Sequence, residues 1–226
     1  MNLKKIAPLA VTCSLLTAGL AAPTVASAEV SANVAVSNMY LWRGVNLSPD
    51  GGVVSGGLDY ANESGFYAGV WTSSEEGGHE TDVYLGFSGE AGDISYDVGY
   101  IYYMYPEDGG PALSITDEGA GDFAEVYLSG GMAGFGASVA ISTETINEGD
   151  SDWIYYTLDY TTGKYNILYG AWSYDKSGNE EYSHVTLTYS YNDNLSFAVS
   201  LAQEDTTNGV EEDPLFAVTY SIPLAE

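Results

Sequence analysis

Arg43, Asp59, Asp82, Asp97, Glu125, Asp159 and His184 lie in or beside segments that otherwise alternate apolar and polar residues, and all seven are placed on the polar side. A row of carboxylates facing a water-filled passage would favour cations. If the sheet that carries them is embedded in lipid, such groups must face water or a partner, because an ionised side chain in hydrocarbon is too costly. The seven are therefore candidate pore-lining residues. In a second reading, the acids form interior hydrogen bonds and a charge network with Arg43 that fills the passage.

Hydrolytic chemistry has a weaker basis. His79 stands beside Glu80 in an acidic segment and His184 among Ser183, Thr186 and Thr188, so a base and hydroxyls are present. A triad, however, needs three groups aligned in space, and no nucleophile motif is visible. The chain is expected not to be an enzyme. Oxygen ligands for calcium occur at Glu107-Asp108, Asp117-Glu118, Glu204-Asp205 and Glu211-Glu212-Asp213, but without EF-hand or nonapeptide spacing. Neither cofactor nor metal is expected.

The elements that position these residues are strands. From Asp82 to Tyr100 the alternation is almost unbroken: Val83, Leu85 and Phe87 face one way and Asp82, Tyr84, Gly86 and Ser88 the other. The same period, with breaks at Gly, Asn, Asp and Pro clusters, marks about twelve strands near 30–42, 53–61, 65–73, 80–88, 93–104, 122–132, 135–144, 152–161, 165–174, 181–191, 195–203 and 214–222. Tight turns alternate with longer, acidic loops near 43–52, 74–79, 105–121, 145–151, 175–180 and 204–213. After residue 28 no apolar run approaches the roughly 20 residues of a spanning helix. A sheet crosses a bilayer only when closed, apolar side out. The fold class expected is all-β: a closed antiparallel up-and-down transmembrane β-barrel of about 12 strands, with Val83, Leu85, Phe87, Val98, Val139, Leu187, Val199 and Val218 on the lipid face. Short turns face the periplasm and long loops the outside in this class.

Residues 1–28 read as a signal peptide, with Lys4 and Lys5 before an apolar stretch and Ala26-Ser27-Ala28 as the cleavage site, leaving 29–226 as the barrel domain. Cys13, the one cysteine, departs with it, so the mature chain has neither disulfide nor cysteine-bound metal. The whole chain has 5 basic and 32 acidic residues; losing Lys4 and Lys5 gives 3 − 32 = −29. Such a surface repels phosphates, which excludes nucleic acid. Adaptation to saline water is another account of the acid excess. Trp42, Trp71, Trp153 and Trp172 fall near the long-loop ends of their strands, as an outer aromatic girdle would require, and Tyr60, Phe66, Phe87, Phe135, Tyr160, Tyr165 and Tyr191 fall beside the short turns as an inner one.

Three segments carry a resemblance. Val36-Ser37-Asn38-Met39-Tyr40-Leu41-Trp42-Arg43-Gly44-Val45, the run from Gly57 to Trp71, and that from Ser95 to Tyr103 resemble the TorF-type porins, the Gcw_chp family of the Gram-negative outer membrane. The match is dense over 35–106 and follows strand pattern beyond. It implies a barrel and a porin-like role without naming a substrate. The expected function is passive passage of small solutes, with a preference for cations. The alternative is a non-conducting structural or surface-interaction barrel, and less favoured, a barrel hydrolase. The expected partners are outer-membrane lipid and lipopolysaccharide, the outer-membrane assembly machinery, and the solutes or cations themselves. One departure is the ending Ser221-Ile222-Pro223-Leu224-Ala225-Glu226, which lacks the usual terminal aromatic residue.

Overall fold

The computed structural model describes residues 28–49, 51–75, 78–105, 122–145, 153–174, 182–204 and 213–225. The signal segment, Cys13 and most of the acidic loop positions considered for calcium lie outside these residues. Twelve long strands hydrogen-bond into one closed antiparallel barrel: β1 (Glu29–Ser37), β4 (Val53–Ala61), β5 (Phe66–Glu75), β6 (Gly78–Ala91), β7 (Ile94–Met104), β8 (Phe123–Met132), β9 (Phe135–Thr145), β10 (Trp153–Thr162), β11 (Tyr165–Tyr174), β12 (Tyr182–Ser190), β13 (Leu195–Glu204) and β14 (Leu215–Ala225). Each strand after β1 pairs with its sequence neighbour, and β1 closes on β14. Closure leaves no unpaired edge, which is what lipid demands of a sheet.

Two further strands, β2 (Leu41–Trp42) and β3 (Val45–Asn46), form a separate small hairpin. This corrects the reading of 30–42 as one strand. The barrel strand stops at Ser37, and the residues after it turn inward rather than continue along the wall. The alternation of Tyr40 and Trp42 is real, but it belongs to this inner hairpin. A second correction concerns 74–79, where no long loop exists: β5 and β6 stay paired out to Glu75 opposite Gly78.

Alternation sets the two faces. Val83, Leu85, Phe87, Val98, Leu187 and Val199 are exposed on the outer wall, with Val139 and Val218 half-exposed beside them. Tyr84, Ile101, Tyr103, Tyr155 and Leu168 are buried on the inner face. The abundance of Tyr and Gly has a packing cause there. Gly69 faces Tyr84, Gly86 faces Tyr67 and Gly99 faces Tyr127 across strand pairs, and a Cβ on any of these glycines would come within 2.5 Å of the facing ring. The tyrosines thus lie across bare backbone, an arrangement any larger residue would block.

The C-terminal departure is absorbed by the barrel. β14 runs through Pro223, which pairs with β1 opposite Asn33 at a register shift, beyond the last pair that β14 makes with β13. A missing N–H is tolerated at such an irregularity.

Candidate functional site

At the tip of the inner hairpin sit Arg43 and Gly44, with φ of +46° and +87°. A two-residue hairpin turn favours positive φ at both central positions. Gly44 adopts that geometry freely, whereas for an arginine the left-handed region costs about 1–2 kcal/mol. Backbone strain of this kind calls for a compensating contact. The hairpin is held by Leu47 N–H to Tyr40 O at 2.8 Å and Tyr40 N–H to Ser48 Oγ at 2.7 Å.

The compensating contact is a buried ion pair. Arg43 Nη1 and Nη2 donate to Glu125 Oε1 and Oε2 at 2.8 and 2.6 Å, and the two side chains are 4% and 1% exposed. Glu125 also accepts from Trp153 Nε1 at 2.9 Å and Tyr103 OH at 3.2 Å. The guanidinium lies over three rings, with its central carbon 4.5 Å from Trp42, 4.4 Å from Tyr155 and 4.9 Å from Trp172. A cation on desolvated aromatic faces gains about 2 kcal/mol. Arg43 Nε, also buried, has no acceptor among the described residues, a loss of about 1–3 kcal/mol. The fork is well satisfied and the stem is not.

His184 closes the floor. Its Nε2 meets Tyr155 OH at 2.7 Å and its Nδ1 meets Thr186 Oγ1 at 3.0 Å, which in turn meets Ser200 Oγ at 2.8 Å. A Cβ on Gly44 would lie 2.6 Å from His184 Cγ, so the hairpin tip fits only as glycine. Tyr182 OH donates to Arg43 O at 3.2 Å. To one side Tyr40 OH donates to Glu80 at 2.6 Å, and Tyr105 OH donates to the same carboxylate.

Of the seven candidate residues, Arg43, Glu125 and His184 converge on this cluster. Asp82, 2% exposed, lies in the same long-loop half, cross-strand from Trp71 and Tyr103. Asp59, Asp97 and Asp159 lie in the short-turn half and are held separately: Asp59 by Tyr84 OH, Asp97 by Tyr67 OH at 2.6 Å, and Asp159 by Asn166 Nδ2 at 2.9 Å. Sequence reasoning placed Glu80 at the start of the strand 80–88 but did not count it among the inward acids; it is buried on β6 in phase with Asp82 and Tyr84. The signal was present: 80, 82 and 84 share one parity.

The tryptophans need a correction. All four lie at the expected level, but Trp71 and Trp172 are buried inward, Trp153 points to Glu125 and Trp42 rides on the hairpin, 5.5 Å from Trp172. They pack the mouth rather than the lipid boundary. The short-turn aromatics do face outward, with Phe87, Phe135, Tyr165 and Tyr191 well exposed. Among the described residues His184 is bonded to two hydroxyls and no carboxylate, and His79 Nε2 has no partner. No cluster of three metal-ligating side chains occurs among the described residues.

Family comparison agrees with this frame over most of the chain. Residues 21–210 match the family described as bacterial protein of unknown function (Gcw_chp). The chain belongs to that family. The structure resembles the KdgM porin, with a TM-score of 0.52 at 12% identity, covering 85% of this chain and 97% of that one. A KdgM porin in complex with disordered oligogalacturonate gives a TM-score of 0.51 at 10% identity, covering 86% and 98%. Outer membrane phospholipase A from Escherichia coli is also similar, with a TM-score of 0.45 at 11% identity, covering 84% and 91%. A search of curated protein sequences finds no match. At these identities the likeness is one of fold: a porin-like barrel of the outer-membrane type.

Proposed function

We propose that this barrel is an outer-membrane diffusion channel for small solutes, preferring cations, and that the Arg43 hairpin narrows or closes its long-loop end. The observation that carries the reading is the charge of the inner face. Asp59, Asp97 and Asp159 line the inner face of the short-turn half, with Glu80 and Asp82 sealed toward the long loops, while the one inward arginine among the described residues is already neutralised by Glu125. A solute inside therefore meets negative potential, which concentrates cations and repels anions. For the same reason a polyanionic sugar such as the oligogalacturonate of the KdgM complex has the wrong charge for this lumen.

The non-conducting alternative has one observation in its favour, the density of packing around the hairpin. Twelve strands leave a narrow interior between those of side-chain-filled and open barrels, and Tyr40, Trp42 and Arg43 occupy part of it. Planar-bilayer recording of refolded protein separates the two readings. The wild type is expected to conduct weakly and Arg43→Ala several-fold more, with reversal potentials across a KCl gradient reporting cation preference. Silence from both forms would establish the non-conducting barrel, and anion preference would remove the carboxylate-lined lumen. The partners that follow from the channel reading are the small cations and solutes themselves, with lipid and lipopolysaccharide around the wall.

A further inference from the structure

We infer that the chamber filled by Arg43 is a binding site for small guanidinium cations, which the hairpin tip occupies as a tethered stand-in for its ligand. The inference rests on the channel reading in one respect, that solutes reach the chamber through the barrel.

Three observations carry it. The recognition groups belong to the wall and not to the hairpin. Tyr103 comes from β7, Glu125 from β8, Trp153 and Tyr155 from β10 and Trp172 from β11, all in strands locked into a closed sheet. Of the groups that touch the guanidinium, Trp42 alone travels with Arg43. Withdrawing the hairpin would therefore leave a preassembled site, with a carboxylate already oriented by Trp153 Nε1 and Tyr103 OH and flanked by two aromatic faces.

The second observation is the weakness of the hairpin's hold. β2 and β3 share two register pairs, against seven or more for most neighbouring wall strands, and the tip carries a strained arginine whose Nε finds no acceptor among the described residues. A free cation is spared the backbone strain. The tether compensates, since linked groups act at millimolar effective concentration, so displacement from the native chain needs ligand in that range or above.

The third is the shape of the chemistry. A bidentate carboxylate matches the planar fork of a guanidinium better than a point-charge ammonium. Apolar ring faces favour a weakly hydrated organic cation over a metal ion, which keeps its water. The acidic surroundings raise local cation concentration without setting identity.

The test uses the refolded full barrel in detergent micelles and its intrinsic tryptophan fluorescence, since Trp42, Trp153 and Trp172 surround the chamber. Methylguanidinium chloride is titrated at constant ionic strength against NaCl. The wild type is expected to saturate only at high concentration, and Arg43→Ala at a concentration at least ten-fold lower. Gly44→Ala should act likewise by a different route: it leaves the wall groups intact while driving the tip off His184, and so carries the test if Arg43→Ala refolds poorly. Adding Glu125→Gln to Arg43→Ala should abolish the gain, and tetramethylammonium should bind several-fold more weakly than methylguanidinium. Failure of both hairpin variants to bind more tightly than the wild type, retention of binding without Glu125, or equal affinity for tetramethylammonium would each overturn the site. Because fluorescence does not depend on current, a silent bilayer with tight binding removes the channel and leaves the site, whereas an open channel without binding removes the site and leaves the channel.

Discussion

The two halves of this barrel solve the same problem in opposite ways. Toward the short turns, the outer wall carries the aromatics, and the inner carboxylates Asp59 and Asp159 keep partial contact with solvent while Asp97 retains 9% exposure, each held by a neutral tyrosine or asparagine. Toward the long loops, the tryptophans turn inward, and Glu80, Asp82 and Glu125 are sealed at 1%, 2% and 0% exposure around a hairpin bearing one arginine. Solvent can help hold Asp59 and Asp159, whereas the sealed acids depend on partners. Burial without a partner costs several kcal/mol per ion, which is why the hairpin and the sealed acids must be understood together.

This contrast presumes that the two halves face different compartments. The short turns, the start of β1 and the end of β14 share one rim, which in barrels of this class is periplasmic. Asp213, exposed at the other rim, and Asp193, exposed in a short turn, test it. A cysteine replacing Asp213 should react with a membrane-impermeant maleimide on intact cells, and one replacing Asp193 only after the membrane is breached. The reverse pattern would invert the topology and place the hairpin at the periplasmic end.

The halves should also differ in what a single carboxylate is worth. Removing Glu125 leaves Arg43 buried without its counter-charge, and breaking such a pair costs about 3–5 kcal/mol. Removing Asp159 frees Asn166 Nδ2, which still donates to Thr161 Oγ1 at 2.9 Å, so the loss should stay near the roughly 0.5–1.5 kcal/mol of an ordinary hydrogen bond. Urea unfolding in micelles is expected to rank Glu125→Ala far below Asp159→Ala. Equal midpoints would mean that the ion pair is not buried in solution. Converting both partners to apolar residues, Arg43→Met with Glu125→Leu, should recover most of the loss.

How much of this was legible follows from what alternation reports. Period two separates the faces of each strand, so β4 and β11 were placed to the residue, and Asp59, Asp82, Asp97, Glu125 and Asp159 fell on the inner side while Glu80 was passed over. It is silent on whether an interior is full. Asn38 to Trp42 keep the strand period, so a chain leaving the wall reads the same as one continuing along it; the positive φ at Arg43 and Gly44 is what betrays the turn. Tryptophan suits a lipid boundary and a packed mouth equally well, and parity was the clue passed over: Trp71 and Trp153 are in phase with the inward Asp59-facing Gly69 and with Tyr155 respectively. Glu125 was found as an inward acid, but its pairing with Arg43 across 82 residues of sequence has no local signal.

Packing of the inner face gives a smaller expected effect. A methyl at Gly86 would meet Tyr67 Oη at 2.4 Å and Val98 O at 2.7 Å. The backbone oxygen cannot retreat, so Gly86→Ala should lose about 1–3 kcal/mol by overpacking and shift Tyr67 from Asp97 and Tyr127. Gly78→Ala, with open space around its Cβ position, is the control and should be close to neutral. A Gly86 variant as stable as the control would mean that the tyrosines do not lie across the glycines in solution.

Selectivity is where the expected difference is smallest, and where the two halves exchange importance. Asp159, half-buried, and to a lesser degree Asp97, at 9% exposure, can act on a passing ion through water. Their effect is bounded by about 1 kcal/mol, the Coulomb energy of unit charges about 4 Å apart in water, or less than about five-fold in permeability ratio. Asp82 is sealed at 2% exposure and so cannot face a moving ion while Arg43 is docked. Asp97→Asn and Asp159→Asn should therefore lower the cation-to-anion ratio of the wild type modestly, more at low salt where the Debye length is about 10 Å than at 1 M where it is about 3 Å, while Asp82→Asn leaves it unchanged. In an Arg43→Ala background Asp82 becomes part of the passage, and its removal should then matter as much as that of Asp97. Reversal potentials in KCl gradients measure each of these ratios. An Asp82 effect in the wild type equal to that in the open variant would mean that ions already bypass the hairpin, and that the long-loop half is a lining rather than a closure.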